Sequence, residues 1–170
     1  MPPNRTRVTA AERRLEGFID RFTPEVGADA RAALEKLRAA VPGAHELVYD
    51  NYNALVIGFG PSERASEAIF SIVVYPSCVN LFFLQGAGLP DPDGILAGNG
   101  KVVRHLRLAS QSTIDEPAVR RALALALDLA RVPIDPRAAR RLAIRAVAEK
   151  QRPRRPAPKP ARKKRNGSRL

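Results

Sequence analysis

At 170 residues, the chain is long enough for one domain with a hydrophobic core and short appended segments, but not for two full domains. Its net charge of +12 is unevenly distributed: residues 1–130 hold 14 basic and 15 acidic side chains, whereas residues 131–170 hold 15 basic and two acidic. A single cysteine excludes an internal disulfide, and no segment approaches the roughly twenty apolar residues that a membrane-spanning helix needs.

The N-terminal quarter of the chain predicts two helices. After a tail over residues 1–8, Thr9 and Glu12 form a capping box ahead of apolar residues at helical spacing, which predicts a helix to about residue 22. Thr23 then caps a second helix, with proline at its first position and one apolar stripe. We expect this helix to end near Gly43.

The middle of the chain changes to the patterning of strands. Its links over 51–53 and 76–78 are too short for crossover helices, so neighbouring strands should pair antiparallel. The third strand is apolar on both faces, and if helices cover only one face, the other is suited to a homodimer or an apolar ligand. The five predicted strands are "HELVYD" at 45–50, "ALVIGFG" at 54–60, "AIFSIVVY" at 68–75, "VNLFFLQ" at 79–85 and "VVRHLRL" at 102–108.

Two further helices are predicted after the strands. A second capping box over 113–116 starts a helix to about residue 130, and Asp135 with Pro136 caps a basic helix over 135–150. Over 151–170, proline and like charges oppose a packed core, which predicts a disordered tail. The predicted fold class is α+β: a domain over 9–131, with two N-terminal helices, an antiparallel sheet of about five strands and C-terminal helices.

Four strings in this order resemble the YdhG-like family of bacterial domains: "FIDRFTPEV", "ELVYDNYNALVIGFG", "IFSIVVYPSCVNLFF" and "GNGKVVRHLRL". The resemblance covers about residues 15–130. It implies a fold similar to frataxin and the MmcQ/YjbR proteins, a curved antiparallel sheet with helices on one side, and it implies no common activity. The family's recurring glycine, lysine and arginine pattern falls here on Gly100, Lys101 and Arg104.

The stretch "DPDGILAGNGKVVRHLRL" at 91–108 raises metal and phosphate binding as alternatives. A calcium loop fails because Ile95 and Val102 stand where oxygen ligands belong, and a phosphate loop fails on the spacing of Gly94 from Lys101. Arg104 shares a strand face with leucines, so it must pair with a carboxylate, reach solvent or meet an anionic ligand. A candidate ligand pocket therefore comprises Tyr49, Asn51, Lys101 and Arg104.

Catalytic chemistry is poorly supported. Cys78 has no partner with the spacing of a nucleophilic or zinc site, and no nucleophile elbow is present. Glu12, Glu16 and Asp20 share one helix face, as iron ligands do in frataxin-like proteins, but interleaved arginines favour a solvated face. We predict a cytoplasmic protein that is not an enzyme, without catalytic residues, a resident metal or a cofactor.

The basic C-terminus is the strongest functional signal. Such a cation run neutralises phosphates without reading bases, which predicts non-specific contact with nucleic acid or another polyanion, unless the tail serves only solubility. The leading hypothesis is a binding module with this activity, and the alternative is a small-ligand or iron-binding domain of the frataxin-like type. The predicted polyanion-binding residues are Arg137, Arg140, Arg141, Arg145, Arg152, Arg154, Arg155, Lys159, Arg162, Lys163, Lys164 and Arg165.

Overall fold

Helices α1 (Ala10–Ile19) and α2 (Pro24–Ala40) open the computed structural model, which describes residues 7–159. The predicted capping box is confirmed, because the Glu12 backbone N–H donates to Thr9 Oγ1 over 3.2 Å and the Thr9 backbone N–H donates to the Glu12 carboxylate over 2.7 Å. Thr23 caps α2 in the predicted way. Of the predicted N-terminal tail, residues 1–6 lie outside the described residues.

The five predicted strands are confirmed, and they pair as an antiparallel meander. The second strand pairs with both the first and the third, and the pairing continues through the fourth to the fifth. The strands are β1 (His45–Asp50), β2 (Leu55–Gly60), β3 (Phe70–Tyr75), β4 (Cys78–Phe83) and β5 (Arg104–Arg107).

Helix α3 (Pro117–Asp128) follows the meander and starts later than its predicted cap. Residues Thr113–Asp115 form a separate 3₁₀ turn, so the predicted capping box is wrong. Thr113 Oγ1 instead accepts a hydrogen bond from the backbone N–H of Ser110, which uses up the capping oxygen within the preceding turn.

The basic helix predicted over 135–150 is wrong, because this segment contains strand β6 (Arg141–Val147). Strand β6 pairs in parallel with β1, and the sheet order is β5-β4-β3-β2-β1-β6. The predicted cap at Asp135 forms only a single turn, in which Asp135 Oδ1 accepts from the backbone N–H of Arg137. The sheet is therefore mixed and has six strands.

A spacing of four residues explains why β6 resembles a helix in sequence. Arg141 and Arg145 share a face in a helix, where four residues make about one turn, and also in a strand, where side chains alternate. Leu142 and Ile144 decide between the two, since both pack against the core only if the segment is extended. Pairing with the free edge of β1 overrides the helical preference of alanine and arginine.

The helices and the sheet form two layers around one core. One face of the sheet presents a row of apolar side chains that runs across five strands: Val48, Ile57, Ile72, Leu81 and Leu106. Buried residues of all three helices join this core. The α+β fold class is confirmed, with three helices on one side of a curved, unclosed sheet.

Part of the segment predicted as a disordered tail packs against the domain. Arg154 is 3 % exposed and contacts the turn after β1, so the prediction is wrong for this residue and its neighbours. The domain consequently extends beyond the predicted boundary at residue 131. Residues 160–170 of the predicted tail lie outside the described part of the chain.

Candidate nucleic-acid interface

Arg154 and Asp50 form a buried ion pair that attaches the C-terminal segment to the sheet. Arg154 Nη2 donates to Asp50 Oδ1 over 2.8 Å, and Arg21 donates to the other oxygen of Asp50 over 3.1 Å. The Arg154 guanidinium also donates to the Asn51 carbonyl and stands 5.7 Å from the centroid of the Phe22 ring. Arg154 is therefore occupied within the fold and is not available to a polyanion.

Arg140 is occupied in a second buried cluster. Glu46 is fully buried on the helix side of β1 and accepts hydrogen bonds from Arg38 of α2 and Arg140, the latter over 2.9 Å. Arg140 also donates to Glu12. The Thr9 backbone N–H lowers the pKa of Glu12, burial opposes this shift, and Arg140 adds to it. Arg140 thereby fastens the start of β6 to α1 and β1.

The other predicted polyanion-binding residues within the described chain are exposed. Arg137 is 90 % exposed beside Asp135, and the nearest carboxylate to Arg145 is that of Glu63, at 4.0 Å. The remainder form no ion pair with any residue of 7–159: Arg141, Arg152, Arg155 and Lys159. The predicted residues Arg162, Lys163, Lys164 and Arg165 lie outside the described residues.

The four residues of the predicted ligand pocket do not come together. Tyr49 and Asn51 belong to β1 and its turn, whereas Lys101 and Arg104 belong to β5 and the loop before it. Three strands separate β1 from β5, a distance of about 19 Å at the usual strand spacing. Arg104 Nη1 donates to the carbonyls of Gly100 and Val103, so the guanidinium group stabilises the loop that precedes β5.

Lys101 lines a cavity of about 530 Å³ that the sequence did not predict. The cavity lies between the end of β4, at Phe83, and the C-terminal end of α3, near Leu129. Arg131 also lines the cavity, so two exposed cations accompany its apolar walls. The volume falls within the range of small-molecule pockets.

The face of the sheet away from the helices, here called the open face, is outside the core. None of its apolar residues belongs to the core cluster, although Leu47 and Val73 are only 2 % and 7 % exposed. The loop after β2 covers the corner of this face at Gly58 and Gly60 through Glu67 and Ala68. Register assigns its residues from β1 to β6: His45, Leu47, Tyr49, Val56, Gly58, Gly60, Ser71, Val73, Tyr75, Cys78, Asn80, Phe82, His105, Arg107, Arg141, Ala143 and Ala146. Arg145 lies at a bulge in β6 and has no partner in the register.

Aromatic side chains lie on four strands of the open face. Phe82 of β4 and His105 of β5 stand directly opposite each other and stack, with ring centroids 5.0 Å apart and an interplanar angle of 21°. Tyr49 and Tyr75 lie on the same face, each partly exposed. Burial raises the pKa of the Tyr75 hydroxyl, and the neighbouring Cys78 adds to the shift.

Arginines occupy both edges of the open face. Arg107 lies on the edge strand β5, and Arg141 and Arg145 lie on the opposite edge strand β6. Arg107 is exposed and forms no ion pair within residues 7–159. Alternation along "VVRHLRL" predicts that Arg107 lies on the strand face opposite the leucines. The sequence does not predict that Arg141 shares this face, because that depends on where β6 joins the sheet.

The acidic residues considered as iron ligands are paired with arginines. Glu16 and Asp20 both accept from Arg31, over 2.8 and 2.5 Å, while Glu12 accepts from Arg140. Within residues 7–159, no three His, Cys, Asp or Glu side chains form a group that could hold a metal ion. None of the described helices is sufficiently long and apolar to cross a membrane.

Comparison with known proteins adds no relative to this description. The resemblance to the YdhG-like family and the frataxin-like fold therefore stays a prediction from the sequence. Searches with protein-family models, against curated proteins and against solved structures found no match to the chain.

Proposed function

We propose that this protein binds nucleic acid without base specificity, through the basic C-terminal segment, defined here as residues 131–159. The observation that carries the proposal is the division of this segment's arginines into two kinds. Arg140 and Arg154 form ion pairs with the buried carboxylates of Glu46 and Asp50, and these ion pairs attach the segment to the domain. The exposed cations of the segment are thus held on an ordered surface.

Charge balance supports a phosphate partner. The exposed cations include Arg137, Arg141 and Arg152, and the segment contains only Asp135 and Glu149 as acids. Lysine and arginine side chains that contact phosphates release condensed counterions, so affinity comes from charge and depends steeply on salt. Contacts to phosphates carry no sequence information, which makes such binding non-specific.

The alternative of a small-ligand domain has weaker support. Only Lys101 of its four predicted residues lines the cavity beside α3, and Arg104 is engaged by its own loop. Iron binding of the frataxin-like type lacks a ligand cluster among the described residues. We therefore propose the nucleic-acid function for a protein without enzymatic activity.

The test removes three exposed cations together, in the variant Arg137→Gln, Arg141→Gln, Arg152→Gln. We expect weaker binding to a labelled DNA duplex, with the slope of log K against log salt reduced in magnitude by about two to three. Fluorescence anisotropy between about 50 and 200 mM salt measures this slope. The thermal unfolding midpoint should stay close to that of the wild type, since none of the three side chains is buried.

A matched control loses the same charge elsewhere, in Arg13→Gln, Arg14→Gln, Arg64→Gln. These residues are exposed on α1 and in the loop after β2. We expect the control to retain most of the affinity and slope. Equal losses in both triple variants would show that net charge alone attracts the DNA, and the proposal for this segment would be wrong.

A further inference from the structure

We infer that the open face of the sheet binds single-stranded nucleic acid, with unpaired bases against its aromatic residues and phosphates against the arginines at its edges. This inference rests on the proposed function and specifies the strand form and the second contact surface. It adds Phe82, His105 and Arg107, which belong to the meander and not to the basic C-terminal segment.

The first argument is the separation of charge between the two faces of the sheet. Both acidic residues of the strands, Glu46 and Asp50, point toward the helices, where arginines neutralise them. The strands place no acidic side chain on the open face, but place Arg107 at one edge and Arg141 at the other. Five strand spacings of about 4.8 Å separate these edges by roughly 24 Å.

The second argument is the position of the aromatic side chains between those edges. The chain has nine Phe and Tyr residues, and Tyr49, Tyr75 and Phe82 lie on the open face. Bases stack on such side chains only when they are unpaired and splayed from a duplex, as on the sheets of RNA-recognition domains. Aromatic residues between cationic edges therefore favour a single strand.

The charge of the open face also argues against a second copy of this chain as its occupant. Two open faces packed together would bring arginines toward arginines, and the Glu63 carboxylate beside this face already faces Arg145, at 4.0 Å. Like charges in contact cost several kcal/mol in an interface. The experiment must therefore exclude a homodimer that forms through this face.

The experiment compares the full chain and its Phe82→Leu variant for binding a labelled oligo(dT) strand and a duplex of equal length. Leucine keeps the apolar contact with the sheet but cannot stack on a base. We expect Phe82→Leu to bind oligo(dT) at least about fivefold more weakly, with its salt slope and its duplex affinity unchanged. Tyr52→Leu is the matched control, because Tyr52 is 54 % exposed but lies in the β1–β2 turn.

A second variant keeps the inference testable if Phe82→Leu perturbs the fold. Arg107 is exposed, so Arg107→Gln should preserve stability while weakening oligo(dT) binding and reducing the salt slope by about 0.7. If neither variant changes oligo(dT) binding while the C-terminal triple variant does, the inference is wrong and the proposed function stands. If the wild type binds neither DNA, both are wrong. Concentration-dependent dimerisation that Phe82→Leu abolishes would also overturn the inference.

Discussion

Single arginines in this protein have opposite roles that their sequence context does not distinguish. Arg154 and Arg155 are neighbours in a basic, proline-rich segment, yet Arg154 is buried against Asp50 and Arg155 is exposed. Composition indicates a solvated tail for both. The difference depends on a carboxylate 104 residues earlier in the chain, and no local pattern reports that partner.

At this scale we predict that Arg154→Gln destabilises the fold by about 3 kcal/mol. Removing one member of a buried ion pair typically costs about 3–5 kcal/mol, and Arg21 still pairs with Asp50 in the variant, which favours the lower end. Urea unfolding measures the change. Arg152→Gln removes the same charge at an exposed position and should stay within about 0.5 kcal/mol of the wild type. Equal stabilities for the two variants would contradict a structural role for Arg154.

Among the elements, the sequence predicts α1, α2 and the five-strand meander, because each has a strong local signal. Capping threonines mark the two helix starts, and the short links between β1 and β2 and between β3 and β4 impose antiparallel pairing. The signal of β6 is ambiguous, since alanine and arginine favour helices and its partner β1 is remote in sequence. Alternation along the strands of the meander predicts which of their residues lie on the open face. It does not predict that arginines of β6 lie at one edge of that face.

The loop that leads into β6 depends on Gly43, which precedes β1. Gly43 has φ +81°, and a Cβ atom built there would lie 2.0 Å from the carbonyl oxygen of Asp135. Only glycine combines this backbone conformation with so close an approach. The end of α2 and the entry to β6 are thus packed backbone against backbone.

We predict that Gly43→Ala lowers the thermal unfolding midpoint by several degrees, since the left-handed backbone alone costs an alanine about 1–2 kcal/mol. The clash with Asp135 adds to this cost and should displace the loop before β6. Gly88→Ala is the control, because a Cβ there would meet nothing within 4 Å. An unfolding midpoint for Gly43→Ala equal to that of Gly88→Ala would mean that the Asp135 loop does not pack on Gly43.

For the whole molecule, the contacts of Arg140 and Arg154 place the end of the domain beyond residue 131. A domain over 9–131 with a detachable basic tail would lose binding and keep its fold when residues 151–170 are removed. The ion pair of Arg154 with Asp50 places part of that segment inside the fold. The distribution of charge along the sequence is thus enough to predict a polyanion partner. The C-terminal boundary of the domain can be located only from contacts in the three-dimensional structure.

Two truncations separate folding from binding at this scale. Ending the chain after Lys159 removes five of its basic residues but retains Arg154, so we expect an unchanged unfolding midpoint and weaker, less salt-dependent DNA binding. Ending it after Lys150 also removes Arg154 and should lower the midpoint markedly. Circular dichroism melts and anisotropy titrations measure the two effects. A shorter chain as stable as the longer one would contradict the extended domain boundary.

The parallel pairing of β6 with β1 also has a consequence for the order of folding during synthesis. Strand β1 leaves the ribosome about a hundred residues before the strand that covers its outer edge. Until β6 arrives, the backbone N–H and C=O groups of that edge are free to pair with another chain. Glu46 and Asp50 are likewise without Arg140 and Arg154 for that interval, when Arg38 and Arg21 are the partners already synthesised. Synthesis of β6 therefore both covers the edge of β1 and completes the ion pairs of these two carboxylates.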